Sequence, residues 1–481
     1  MRPVVVMLAL GAVGCTDEAV YPALLESRSE SSLVFANPEE DCVECHPDHV
    51  AEWRISNHAY GSRDPVFVAM VQMGQHQTRG KLGQFCIQCH APAAMALGKT
   101  PVFYDEVRKR YNQRIKTLTQ TGTLGVSCDV CHSITEIIAP LNAQMVTNPN
   151  GVQRGPIESP VANEAHESLH DPAFAKSEIC APCHAVTNPR GALIEQTFAE
   201  WTFSSFPSRG KECQTCHMPQ YRGRAAPDAP ERDLHRHVMV GVDVSLLPED
   251  QFPGYHELRA LAAEMLRSSA EFSLTYQADA GELVARIVNL AGHALPSGAT
   301  ADRQLWIELT VTDADGEEVF VSGTLDANGD IRDAVAKHNL APGTDPHLAY
   351  FGQQMLFVPA IDGVDDPAAL ARLRAQTTAA CLPIGVGVTT ERVDARPVTF
   401  PWQANWQCDF LVPPDGAAEH EYPMGTLAPG EYTARARLFF RTFPPHMLRR
   451  LEEVGGLDPA VKGRVPTVKI AEALVRFDVD P

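Results

Sequence analysis

The stretch that decides the fold is Cys42-Val43-Glu44-Cys45-His46, a Cys-x-x-Cys-His motif near the N terminus. Chance would give roughly 0.01 copies of this motif in a chain with this cysteine and histidine content. The chain has five copies, and the other four are Cys86/Cys89/His90, Cys128/Cys131/His132, Cys180/Cys183/His184 and Cys213/Cys216/His217.

In such a motif the two thiols lie one turn apart and add to the two vinyl groups of haem, and the adjacent imidazole becomes the proximal iron ligand. The ten motif cysteines are therefore predicted to attach five haems c covalently. Zinc is the alternative, but zinc sites of this kind pair Cys-x-x-Cys units without an obligatory following histidine. The predicted proximal ligands are His46, His90, His132, His184 and His217.

The N terminus has the pattern of an export signal. Arg2 precedes an apolar run from Val4 to Leu10, which is shorter than the about 20 residues that a membrane span needs. The following Gly11-Ala12-Val13-Gly14-Cys15 resembles a bacterial lipobox, which predicts a signal peptide over residues 1–15 and a lipid on Cys15. Simple cleavage that discards Cys15 is the alternative. Polar residues 16–40 are predicted to form a flexible tether.

The net charge of −20 excludes one class of partner. Because the chain has no clustered basic runs, nucleic acid is not expected to bind. An acidic protein instead suits a basic redox partner. We therefore expect other redox proteins as electron donor and acceptor, and a periplasmic or cell-surface location with a lipoprotein anchor.

Two domains are predicted after the tether. Residues 41–269 have too little sequence for each motif to build an ordinary core, so this pentahaem domain is expected to be mostly α-helical or irregular and packed around its haems. A short helix is predicted around 106–119. A second helix over 257–269 is predicted to place Leu258, Leu261 and Met265 on one face.

Residues 270–481 are predicted to form an all-β sandwich with long loops between Asp326 and Pro423. Leu283, Ala285 and Ile287 alternate with less apolar neighbours, as in a half-buried strand. The other predicted strands are 306–312 and 319–322, joined by an Asp-Ala-Asp-Gly turn, then 432–440 and 474–479.

Two further features of the predicted sandwich come from single residues. The segment Leu427 to Tyr432 resembles the tyrosine corner of Greek-key sandwiches. Cys381 and Cys408 are expected to form a disulfide because an exported protein folds in an oxidising compartment, and two buried free thiols are the alternative.

Several stretches resemble the periplasmic multihaem cytochrome c superfamily, which includes the tetrahaem electron acceptor of hydroxylamine oxidoreductase. The resemblance implies a pentahaem member with a C-terminal β-sandwich. It rests on the first motif with Glu52 to Ala59, Cys86 to Pro92, Gly125 to Cys128, Glu200-Trp201, Cys213 to Pro219, His237 to Gly241 as a His-x-Phe-x-Gly element, and Gly292 to Gly298 as a Gly-His-x-x-Pro-Thr-Gly element.

The distal position of each iron decides what the haems do. A second histidine gives a low-spin iron suited to electron transfer, whereas an open position permits substrate chemistry. The choices between His166 and His170 and between His235 and His237 stay open, and His49 is expected to be structural or exposed. The predicted distal ligands are His58, His166, His237, His293 and His76.

Three functions follow. The first is electron transfer between periplasmic or membrane redox partners. The second is an oxidoreductase that acts on a small nitrogen or sulfur oxyanion at one open haem, with the Cys86/Cys89/His90 haem as the first candidate. The third is a binding module, in which the sandwich docks the cytochrome to a larger complex.

Overall fold

In the computed structural model, the described residues are 34–97, 102–105, 110–113, 123–332, 345–364, 366, 368–373 and 395–480. Only the backbone is described at 102–105 and 110–113. The expected signal peptide, Cys15 and Cys381 lie outside these residues.

The N-terminal part consists of short helices joined by irregular segments. Most of them span one or two turns, because the haem motifs interrupt any longer apolar period. The helices up to residue 217 are α1 (Pro47–Arg54), α2 (Asn57–Tyr60), α3 (Pro65–Gln77), α4 (Ile87–His90), α5 (Pro92–Ala96), α6 (Cys128–His132), α7 (Thr197–Thr202) and α8 (Cys213–His217).

Five two-stranded sheets lie between and after these helices. They pair β1 (Val102–Asp105) with β2 (Arg110–Gln113), β3 (Ile134–Ile137) with β4 (Met145–Thr147), β5 (Val152–Gly155) with β6 (Glu167–His170), β7 (Val186–Thr187) with β8 (Leu193–Glu195), and β9 (Gln220–Arg224) with β10 (Glu231–His235).

The helix predicted around 106–119 is wrong over Arg110–Gln113. This segment is a strand, and it pairs antiparallel with Val102–Asp105 in a register that sets Tyr104 opposite Tyr111. Aromatic and β-branched residues favour strands, and pairing with a preceding strand of that type outweighs the weak helical period.

The helix predicted over 257–269 is confirmed as α9 (Tyr255–Ser268), but its buried face is rotated by one position. Leu258, Ala262 and Leu266 are buried, whereas Leu261 and Met265 are only partly so. Leu266 belongs to the core of the strand-rich part, which explains why the helix turns this face inward.

The strand-rich part begins at Ala270. Its strands are β11 (Ala270–Gln277), β12 (Glu282–Asn289), β13 (Gln304–Asp313), β14 (Glu318–Ser322), β15 (Ala349–Phe357), β16 (Arg396–Pro397), β17 (Trp406–Phe410), β18 (Ala417–Pro423), β19 (Gly430–Arg441) and β20 (Thr467–Val479). Two further helices are α10 (368–373) and α11 (Pro445–Val454).

These strands form two sheets that share one hydrophobic core. One sheet has the order β11-β12-β18, and the other runs β16-β15-β13-β19-β20, with β14 on β13 and β17 on β15. Leu283, Ala285 and Ile287 of the first sheet contribute to the same buried cluster as Ile307 and Leu438 of the second. Facing sheets with alternate residues turned inward are the arrangement of a sandwich.

The local predictions in this part agree with the structure at two turns. Tyr432 donates a hydrogen bond from its hydroxyl to the carbonyl of Ala428 over 2.7 Å, as a tyrosine corner requires. The β13–β14 hairpin turns at Gly316, which has a φ of 86°. The long loops expected between Asp326 and Pro423 are wrong where β15, β17 and β18 lie, because β15 is buried on both faces and so lacks a period of two.

Cys408 is buried in this region and is disulfide-bonded. Its predicted partner is Cys381, which lies outside the described residues. The ten motif cysteines form no disulfide bonds.

The two parts of the chain are in direct contact. Asn188 donates its amide to the carbonyls of Pro401 and Ala404. On the other side, the indole of Trp402 donates to Gln77 at the end of α3. Within the described residues, no helix is long and apolar enough to cross a bilayer.

Candidate haem sites

All five Cys-x-x-Cys-His motifs line one large cavity that is partly open to solvent. Its volume is about 2300 Å³, and it contacts all ten motif cysteines and all five motif histidines. Ordinary ligand pockets measure about 300–1,000 Å³, so this cavity is large enough for several groups. The side chain of His184 has 47% of its surface accessible although it lies inside the protein, because it faces the cavity.

Each motif folds as a helical turn. The amide of His46 donates to the carbonyl of Cys42 over 2.8 Å, and the amide of His184 donates to the carbonyl of Cys180 over 3.1 Å. A hydrogen bond between residues four apart closes one α-helical turn, so the first cysteine lies one turn away from the histidine on the same side of the helix. The two thiols and the imidazole therefore face the same part of the cavity.

Four motif histidines each lie opposite a second histidine. The ring centroids are 6.3 Å apart in every pair, and the ring planes are nearly parallel in three pairs and 52° apart in the fourth. Two imidazoles on opposite sides of one metal ion, each about 2.0 Å from it, have centroids roughly 6 Å apart. The four pairs are His46–His166, His184–His58, His132–His237 and His217–His293.

Hydrogen bonds leave the same nitrogen free in all eight rings. Every Nδ1 donates to a protein atom, so Nε2 is the nitrogen that would be available to a metal ion. The acceptors for the motif histidines are the carbonyls of Ala225, Arg154 and Val240 and the carboxylate of Glu195. The acceptors for the opposite histidines are the sulfur of Met239 and the carbonyls of Glu167, His235 and Ala294.

Burial keeps three of the opposite histidines in the form that binds metal. It lowers the pKa of His58 and His293 to about 4 and the pKa of His237 to about 3. A neutral imidazole has a free electron pair on Nε2, whereas a protonated one does not. These observations fit haem: paired neutral imidazoles face a shared cavity, and two thiols accompany each motif histidine.

The second motif differs from the other four. Phe67 stacks on the ring of His90, with centroids 4.3 Å apart and planes 12° apart. None of the described histidines faces His90 at the spacing of the other pairs. His76, the fifth predicted distal ligand, lies exposed in the last turn of α3 and is not part of the cavity lining.

The structure distinguishes between the competing histidines. His166 lines the cavity and faces His46 of the first motif, whereas His170 is exposed at the end of β6. His237 lies opposite His132, whereas His235 donates its Nδ1 hydrogen to the carbonyl of Met218.

Three residues near the pairs were not found from the sequence. His49, expected to be structural or exposed, lines the cavity and lies edge-on to His237 at 4.6 Å. Met239 accepts the Nδ1 hydrogen of His58 over 2.7 Å. Glu195 accepts that of His184 over 2.9 Å, and nothing in the sequence distinguishes this glutamate from any other.

Thiol contacts show which motifs are neighbours. The thiol of Cys42 lies against that of Cys128, which joins the first and third motifs. The thiol of Cys89 lies against that of Cys183, which joins the second and fourth motifs. Through its other cysteine, Cys180, the fourth motif also contacts the fifth at Cys213.

Comparisons with known proteins agree with this geometry. The family model described as cytochrome c554 and c-prime matches residues 41–133. The crystal structure of a penta-heme cytochrome c552 from Thermochromatium tepidum matches with a TM-score of 0.54 and 22% sequence identity, over 91% of this chain and 98% of that chain. No curated protein sequence gives a significant match. The relation to the acceptor of hydroxylamine oxidoreductase stays a prediction. The family match thus covers residues 41–133, and the structural match shows a fold similar to that of the penta-heme cytochrome.

Proposed function

We propose that this chain is an exported pentahaem cytochrome that transfers electrons between redox partner proteins. The observation that carries the proposal is the set of four histidine pairs, each with centroids 6.3 Å apart, around a cavity lined by five attachment motifs. Bound haem would supply the one-electron chemistry.

The paired histidines support electron transfer over substrate chemistry at four of the five sites. An iron with an imidazole on each side has no position left for a substrate, so it can only change its oxidation state. The hydrogen bonds that all eight Nδ1 atoms donate fix the rings before and after each electron arrives. A fixed ligand set reduces the rearrangement that accompanies electron transfer.

The contacts between motifs support a continuous route. The first motif adjoins the third, the second adjoins the fourth, and the fourth adjoins the fifth through their thiols. Cys131 of the third motif also interacts with Cys183 of the fourth, which connects the two groups. Electrons entering at any haem can therefore reach the other four.

The strand-rich part contributes to the sites and does not act only as a docking module. His293, opposite His217, follows β12, and the carbonyl of His293 accepts a hydrogen bond from Asn289 at the end of that strand. The strand-rich part thus provides the proposed distal ligand of the fifth haem. Redox proteins are the proposed partners, and the charge of −20 favours basic ones.

Lipidation of Cys15 is the proposed means of anchoring at the membrane. If it occurs, the mature protein partitions into detergent, and Cys15→Ser releases it as a water-soluble exported protein. Mature protein that begins after Cys15 and carries no lipid would contradict the anchor without affecting the proposal about haem.

A second function is favoured by one observation. His90 has no facing histidine among the described residues, so the second haem is the candidate for an open iron that binds a small molecule. The chain would then be an oxidoreductase that uses the other four haems to deliver electrons. Carbon monoxide binds only to a reduced iron with an exchangeable sixth position and therefore separates the two functions.

The experiment is electron paramagnetic resonance of the oxidised protein, followed by reduction and addition of carbon monoxide. We expect low-spin signals from at least four haems and carbon monoxide binding at one haem at most. Carbon monoxide binding at two or more haems would contradict the electron-transfer proposal. If one haem binds, the variant Cys86→Ser/Cys89→Ser should abolish that binding, with the four remaining low-spin signals as the control for folding.

A further inference from the structure

The motif histidines differ in the group that accepts their Nδ1 hydrogen. His46, His132 and His217 each donate to a backbone carbonyl over 2.5 to 2.6 Å. His184 alone of these four donates to a carboxylate, that of Glu195. A carbonyl is neutral, whereas a carboxylate carries a full negative charge, so the four predicted iron ligands are not equivalent.

Glu195 is held in place by the backbone on both sides. It ends strand β8, where it pairs with Val186 of β7, and it also forms an isolated bridge to Ala299 in the strand-rich part. Its side chain is only 17% exposed. A carboxylate fixed in this way keeps its contact with His184 without losing further conformational freedom.

A buried carboxylate changes the imidazole that it contacts. The Nδ1 hydrogen of His184 points to the Glu195 carboxylate over 2.9 Å, so the imidazole lies against a full negative charge. This charge draws the Nδ1 hydrogen toward the carboxylate and increases electron density on Nε2. A more strongly donating ligand stabilises ferric iron over ferrous iron and thus lowers the reduction potential.

The fourth motif is also the junction of the thiol contacts. Cys183 contacts Cys89 of the second motif and interacts with Cys131 of the third, while Cys180 contacts Cys213 of the fifth. A haem at this motif is therefore next to three of the other four. Its potential determines how long an electron stays at the junction before it moves to a neighbour.

We propose that Glu195 is a positioning residue that acts through His184 to make the fourth haem the lowest-potential haem of the chain. The inference rests on the proposed function, because it requires a haem at the fourth motif. A low-potential junction does not hold electrons, so an electron that arrives there passes on to the second, third or fifth haem.

The test is Glu195→Gln, which replaces the charged acceptor by a neutral amide of the same shape. Potentials are followed by a redox titration with optical and electron paramagnetic resonance detection. In the wild type, the low-spin signal of the fourth haem should be the last to disappear on reduction. In the variant, that one component should shift to higher potential and no longer be last, while the other four keep their order.

Asp409→Asn is the matched control. Asp409 accepts hydrogen bonds from Gln353 and from Gln196, the residue after Glu195, and no hydrogen bond in the described part of the chain joins it to a motif histidine. If Glu195→Gln shifts no component more than Asp409→Asn does, the inference is wrong. Haem content and spin state, measured on the same samples, test the proposed function separately. If the protein carries five haems but Glu195→Gln shifts none of their potentials, only the role of Glu195 is overturned.

Discussion

His293 lies opposite His217, with ring centroids 6.3 Å apart and ring planes 20° apart. The two residues come from different parts of the chain, since His217 ends α8 and His293 follows β12. In the proposed function, the strand-rich part would therefore complete a haem site whose attachment motif lies in the helical part.

His293→Ala should therefore open the fifth iron without releasing its haem, because the thioether bonds to Cys213 and Cys216 are untouched. One low-spin signal should be replaced by a high-spin signal, and the potential of that haem should rise with the loss of a donating imidazole. His256→Ala is the control, since His256 is exposed, pairs with Glu249 and lies edge-on to the ring of Tyr255. Unchanged low-spin signals in His293→Ala would show that His293 is an ordinary loop residue.

Because Gly125 has no side chain, the backbone carbonyl of His58 can lie against the segment just before the third motif. The amide of Val126 donates to the carbonyl of His58, and a Cβ at Gly125 would lie 2.2 Å from that oxygen. Gly125 also has a φ of +62°, where a side chain costs about 1–3 kcal/mol. Gly125→Ala should displace His58, the proposed distal ligand of the fourth haem. The low-spin signal of that haem should then be lost, and the free energy of unfolding should fall by about 1–3 kcal/mol.

The matched control is Gly316→Ala in the β13–β14 hairpin. Gly316 has a φ of +86° but open space around its Cβ position, so this variant carries the backbone strain without the contact. Thermal unfolding and electron paramagnetic resonance on both variants separate the two effects. Loss of stability in Gly125→Ala with all low-spin signals intact would contradict the link to His58.

Asp330 should make the free energy of unfolding of the strand-rich part depend on pH in the acidic range. Burial alone would raise the pKa of Asp330, but hydrogen bonds from His446 and Arg449 in α11 outweigh it and lower the pKa to about 2. In the unfolded chain the pKa is about 3.9. The stabilisation is thus fully present above about pH 4 and is lost as the pH falls toward 2.

The contribution of Asp330 is about 2 to 3 kcal/mol, because the two pKa values differ by about 1.9 and a difference of one in pKa corresponds to about 1.36 kcal/mol. Asp330→Asn should lower the free energy of unfolding at pH 7 and reduce its fall between pH 4 and 2, as measured by urea unfolding. Asp315→Asn removes an exposed carboxylate of the hairpin turn and should keep the wild-type acid dependence. The same dependence in wild type and Asp330→Asn would exclude this role.

The sequence predicts those features that short segments determine. Five attachment motifs, the strand at residues 282–289 and the Tyr432 corner each depend on the chemistry of a few consecutive residues. The prediction of a helix around 106–119 is wrong over Arg110–Gln113 for the opposite reason. Pairing with another strand, Val102–Asp105, decides the structure there. The buried face of α9 likewise depends on its position against the sheets.

The opposite histidines could be predicted as candidates but not as pairs. His58 is more than 120 residues from His184, and only the folded chain brings them together. Glu195 has no motif at all, since its role comes from the hydrogen bond to His184 and the strand pairing that holds it. His76 has a suitable residue type and sequence position, yet α3 directs it away from the cavity.

The central claim is that five haems are attached to one chain. The most direct measurement is the intact mass of the acid-denatured protein, produced in a host that attaches haem c and combined with a haemochrome assay. Thioether bonds survive denaturation, so the account predicts the mass of the mature polypeptide plus five haems. A mass equal to the bare polypeptide would contradict it.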